Sequence, residues 1–108
     1  MNQMRFVETP IFTAVMQRHL HDEEYRQLQI ALMLRPAQGP VIPGSGGLRK
    51  VRWAAAGGGK RGGLRVLYYW VAGEQTIYMV YAYSKSAQGD LTPAQIRQLG
   101  RRVREELE

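Results

Sequence analysis

Apolar and polar positions change period several times along the 108 residues, and each change marks an element. Residues 5 to 8, RFVE, predict a short strand. Thr9-Pro10 then suits an N-cap and first helical position, and Phe12, Val15 and Met16 share one side of the helix that follows. Asp22 is a second candidate cap, with Glu23 and Glu24 near the positive end of its helix. Tyr25, Leu28 and Leu32 recur at helical spacing, and Ile30, Met33 and Leu34 widen that apolar stripe until Pro36 and Gly39 end it. Residues 38 to 47, QGPVIPGSGG, hold two prolines and four glycines and predict an irregular connection.

Three strand candidates follow at residues 48 to 54, 64 to 72 and 76 to 84, joined by AAGGGKRGG and by AGEQ. This order predicts an antiparallel meander. Thr92, Pro93 and Gln95 form a capping-box start for a last helix, with Ile96, Leu99, Val103 and Leu107 along one face. The expected fold is α+β: a small, mostly antiparallel sheet with two N-terminal helices and a C-terminal helix, the helices covering one side. No internal repeat interrupts that order, and the length suits a single domain over residues 1 to 108.

Composition narrows the function. With 44% apolar and 22% charged residues the chain is expected to fold. Fifteen basic against nine acidic residues give a net charge of +6, which points to a polyanionic partner. Cysteine is absent, which excludes a disulfide framework, a thiol nucleophile and a thiolate metal site. MNQMRFVETP has no secretory apolar core, and no stretch reaches the roughly 20 apolar residues of a membrane span, so a cytoplasmic protein without a membrane partner is expected.

The glycine-rich bridge does not meet the demands of a nucleotide loop. Gly59-Lys60 is followed by Arg61 where a phosphate-cradling loop needs Ser or Thr, and the chain runs on into strand-like residues instead of a helix. His19 and His21 lie two apart, a spacing that does not share a helix face, so no metal and no cofactor is expected. Ser84 and Ser86 flank Lys85 without the surroundings of a nucleophile elbow.

The basic residues are patterned more tellingly. Strand alternation puts Lys50 and Arg52 on one face and Val51 and Trp53 on the other. Arg65 opens the next strand and Lys85 follows the third, so a shared cationic face is possible, although alternation does not fix the register. Arg49, Lys60, Arg61 and Tyr83 are further candidates for contact with RNA, since aromatics beside cations suit stacked bases held next to phosphates. The plainer alternative is a solvated sheet face over an aromatic core.

FVETPIFT, VIPGSGGLRKVRWA, the basic glycine-rich bridge, GGLRVLYYWV, and YAYSKS followed by DLTPAQ occur here in an order and spacing that resembles the RelE/HigB-type toxins of bacterial type II toxin–antitoxin systems, on the HigB-like branch. The likeness covers nearly the whole chain. It implies a RelE-like fold and an endoribonuclease that cuts mRNA in the ribosomal A site, restrained by a cognate antitoxin protein. It also implies that Lys50, Arg52, Arg65 and Lys85 are the catalytic residues. The catalytic C-terminal tyrosine known in RelE has no counterpart, because no tyrosine follows Tyr83.

Metal-independent cleavage through the RNA 2′-OH needs charge stabilisation at phosphorus, for which Arg52 and Arg65 are suited by their permanent, bidentate guanidinium groups. Lys50 or Lys85 is the acid–base candidate, since neighbouring cations disfavour a charged ammonium. Two other functions fit the same scaffold. One is a non-catalytic ParE-like inhibitor of DNA gyrase; the other is a module that binds RNA and leaves it whole.

Overall fold

The computed structural model describes residues 3–54, 63–84 and 89–107. Along the chain these form β1 (Arg5–Glu8), α1 (Pro10–His19), α2 (Asp22–Leu34), β2 (Arg49–Trp53), β3 (Leu64–Val71), a 3-10 turn (Ala72–Glu74), β4 (Thr76–Ser84) and α3 (Pro93–Leu107). The sheet order is β1-β4-β3-β2, with β2, β3 and β4 an antiparallel meander and β1 added parallel to β4. None of the described helices is long and apolar enough to cross a membrane.

Local chemistry sets the helix ends. Thr9 caps α1 by accepting the Phe12 N–H at 3.0 Å, and its hydroxyl donates to Val80 O at 2.8 Å, which ties the helix start to β4. At α2 the cap is His21 and not the expected Asp22, which is the first helical residue; the His21 N–H donates to Glu24 Oε1 at 2.9 Å. Thr92 and Gln95 make the expected reciprocal pair at α3, at 3.1 and 2.9 Å.

The helices cover both faces of the sheet, not one. On the inner face, Phe12, Met16, Leu28 and Leu32 of α1 and α2 pack against Leu64, Val66, Tyr68, Ile77, Met79 and Ala82. On the outer face, Val103 with Leu99 and Leu107 of α3 packs against Leu67, Val80 and Tyr83. A sheet with apolar residues on both faces needs a cover on each, and α3 supplies the second. The α2 stripe is narrower than its sequence suggests: Ile30, Met33 and Leu34 are exposed, Leu34 by 77%.

The irregular connection is held by buried hydrogen bonds. The Tyr68 hydroxyl donates to Pro36 O at 2.7 Å and accepts the Gly39 N–H at 2.9 Å. The Ser45 hydroxyl donates to Ile42 O at 2.6 Å and accepts the Leu48 N–H at 2.9 Å. Here α3 comes very close: a Cβ on Gly100 would collide with Ser45 O, and Arg104 Nη1 donates to that same oxygen at 3.1 Å.

Candidate nucleic-acid interface

The β2–β3 ladder sets Arg52 opposite Arg65 and Lys50 opposite Leu67. Arg65 in turn faces Tyr83 across the β3–β4 ladder. Residues paired this way share a face with their Cβ atoms about 4.5–5.5 Å apart, and residues two apart along a strand are about 6–7 Å apart. Arg52, Arg65 and Tyr83 therefore form one row across three strands on the outer face, with Lys50, Leu67 and Tyr81 in the next row. Arg52 is exposed, Arg65 and Lys50 half-buried.

Tyr83 reaches this face through an irregularity. Ile77 and Met79 point inward, and strict alternation would send Tyr81 and Tyr83 after them. The register instead shifts between Leu67 and Tyr68, where Leu67 pairs with Tyr81 but Tyr68 pairs with Met79, so Val80 is an extra residue on β4. Val80 and Tyr81 both turn outward, and every position after them changes face. The bulge thus lays Tyr83 beside Arg65.

Tyr83 is 3% exposed, packed with Leu67 and Val103, and its ring lies over Tyr81 with centroids 6.1 Å apart and planes at 26°. Its hydroxyl donates a long hydrogen bond of 3.4 Å to Asp90 Oδ1. Burial pushes the phenol above its ordinary value, Asp90 adds to the rise, and the Arg65 charge opposes it. It remains protonated at neutral pH. A ring so buried presents no open face to a stacked base in this structure.

Arg49 lies on the other face of β2 from Lys50 and Arg52. It alternates with Lys50, shares the inner side with Val51, and donates from Nη1 to Ala37 O at 3.2 Å and Gly39 O at 2.9 Å. Its guanidinium fastens the connection to β2, and strand alternation alone would have said so. Lys60, Arg61 and Lys85 lie outside the described residues. Asp90, no site candidate in the sequence, accepts from the Tyr83 hydroxyl just before α3. Its signal was its place two residues before the Thr92 cap. No group of three His, Cys, Asp or Glu side chains among the described residues is arranged to hold a metal ion.

No model of a known protein family matches the chain. Among solved structures, a mutant of the E. coli toxin RelE in the free state is similar over 94% of this chain and 98% of that one, with a TM-score of 0.60 and 9% sequence identity. The helix pair, the four-stranded mixed sheet and the C-terminal helix together make this a RelE-like fold.

Proposed function

We propose that the protein is a RelE/HigB-type toxin, a ribosome-dependent endoribonuclease that cleaves mRNA and is neutralised by a cognate antitoxin. The observation that carries this reading is the Arg52–Arg65 pair, two cations set opposite each other on one sheet face with Lys50 in the adjacent row. Like charges directly opposed across a ladder cost stability, so a polyanion is the natural occupant of such a face.

In the reaction the RNA 2′-oxygen forms a bond to the adjacent phosphorus while the bond from phosphorus to the 5′-oxygen breaks, leaving a 2′,3′-cyclic phosphate and a free 5′-hydroxyl. One proton leaves the 2′-OH and one reaches the departing oxygen. Arg52 and Arg65 hold the non-bridging oxygens, where negative charge grows in the transition state. Lys50 and Lys85 are the proposed acid–base groups. Tyr83 does not take that part, since it is buried and protonated. Without a strong base, the site depends on substrate geometry supplied by the ribosome, and positioning of that kind is worth many orders of magnitude.

Primer extension on a defined mRNA in purified translating ribosomes tests this reading, with wild type, Arg65→Ala and ribosome-free reactions side by side. Cuts in codon register that need the ribosome and vanish in Arg65→Ala are expected. Intact mRNA with active ribosomes and folded, antitoxin-free protein would overturn the reading and direct attention to DNA gyrase supercoiling.

A further inference from the structure

Tyr83 is built into its position at some expense. Val80 breaks the β4 ladder so that Tyr83 faces outward, and the ring is then buried beneath α3 beside the one β3 residue that carries a charge. Two features mark it as more than filling. The hydroxyl is directed to Asp90, two residues before the Thr92 cap of α3. The phenol oxygen also lies within the field of Arg65. One side chain thus connects the arginine on β3, the bulged strand and the start of the last helix.

A guanidinium on a flexible stem has many rotamers, and a reaction that depends on positioning loses rate when the group wanders. A rigid aromatic ring directly across the ladder restricts that stem, and a hydroxyl anchored at its far end keeps the ring from shifting. We propose that Tyr83 and Asp90 are positioning residues that hold the Arg65 guanidinium in place for phosphate, acting through Arg65 without touching the RNA. The catalytic part of this proposal rests on the nuclease reading; the ordering of Arg65 does not.

The test uses the full chain as wild type, Tyr83→Phe, Asp90→Asn and the double variant. The Arg65 Nε–H resonance, identified by its disappearance in Arg65→Lys, reports whether the guanidinium is held. Single-turnover cleavage of ribosome-bound mRNA at varied toxin concentration separates rate from binding, and urea midpoints report the fold. In both single variants the Arg65 resonance should broaden or shift towards that of a free arginine. The cleavage rate should fall about tenfold at an unchanged half-saturating concentration. The double variant should lose no more than either single one, because the two residues act as one unit.

An unchanged Arg65 resonance in the folded variants overturns the proposal. So does wild-type cleavage by both, or a loss of rate that merely follows the urea midpoints. Should Tyr83→Phe fail to fold, Asp90→Asn, which keeps the whole ring, decides the matter alone. Should the wild type leave mRNA whole, the nuclease reading falls, and the Arg65 resonance still decides whether Tyr83 and Asp90 order the guanidinium.

Discussion

Arg52 and Arg65 stand directly opposite each other across the β2–β3 ladder, cation against cation. Opposed like charges cost about 0.2–1 kcal/mol relative to neutral pairs, and threonine is a better strand residue than arginine at such a site. Arg52→Thr should therefore raise the unfolding free energy measured by urea denaturation by about 0.5 kcal/mol. The same change should lower single-turnover cleavage about a hundredfold or more, as loss of a transition-state donor does. Opposite signs for stability and activity separate a functional cation from a structural one; a variant both less stable and fully active would refute the assignment.

Salt dependence gives a second check on the same row. Each phosphate neutralised by the protein adds roughly 0.7–0.9 to the slope of log affinity against log salt. Arg52→Ala and Arg65→Ala should each reduce that slope by about one for binding to an RNA oligonucleotide, measured by fluorescence anisotropy from low to moderate salt. Arg49→Ala should leave the slope unchanged, because its guanidinium is committed to the Ala37 and Gly39 carbonyls.

Tyr68→Phe isolates the hydroxyl that joins the irregular connection to the inner core. The buried group bonds both Pro36 O and the Gly39 N–H, and removing it leaves two backbone groups short of a partner. The expected loss is about 1–3 kcal/mol in urea denaturation. Cleavage should persist at temperatures where the variant is folded, since the cationic row lies on the opposite face.

The tyrosines also set an alkaline limit. Burial holds the phenols of Tyr25, Tyr68 and Tyr83 above the ordinary value of 10.0 in the folded protein. Above about pH 10 the unfolded chain gives up these protons first, so it binds fewer than the folded state and stability falls as pH rises. Their contribution is complete below pH 10 and declines above it. Urea midpoints measured at pH 8, 9, 10 and 11 should hold to pH 9 and drop by pH 11, and Tyr68→Phe should flatten that drop.

Gly100→Ala weighs helix propensity against crowding. An exposed helical alanine would gain about 1 kcal/mol over glycine. Here the new Cβ would collide with Ser45 O, a backbone atom held by the turn around the buried Ser45 hydroxyl. Crowding should win, lowering the unfolding free energy in urea denaturation by about 1–3 kcal/mol. A stabilised variant would mean that α3 docks less closely than the structure shows.

The sequence by itself determined the elements and part of the site. Strand alternation separated Lys50 and Arg52 from Val51 and Trp53, the Thr9-Pro10 and Thr92-Pro93 pairs located two helix starts, and the glycine and proline cluster marked the connection. These are local effects, set by backbone dihedrals and by hydrogen bonds a few residues apart, and so they are written in short stretches of chain. Arg49 belonged to this legible part, since alternation already placed it with Val51.

Only the tertiary structure decided which face α3 covers, which residue stands opposite Arg65, and which side Tyr83 takes. The outer face needed its own cover, because Leu67, Val80 and Tyr83 are apolar or aromatic residues directed away from α1 and α2. The bulge at Val80 inverted the side reached by every residue after it, and no period in TIYMVYAYS announces it. Register and packing depend on partners distant along the chain, and a one-residue slip exchanges the two faces. That is why four candidate cations were legible as residues, while the row formed by Arg52, Arg65 and Tyr83 emerged only when the strands were paired.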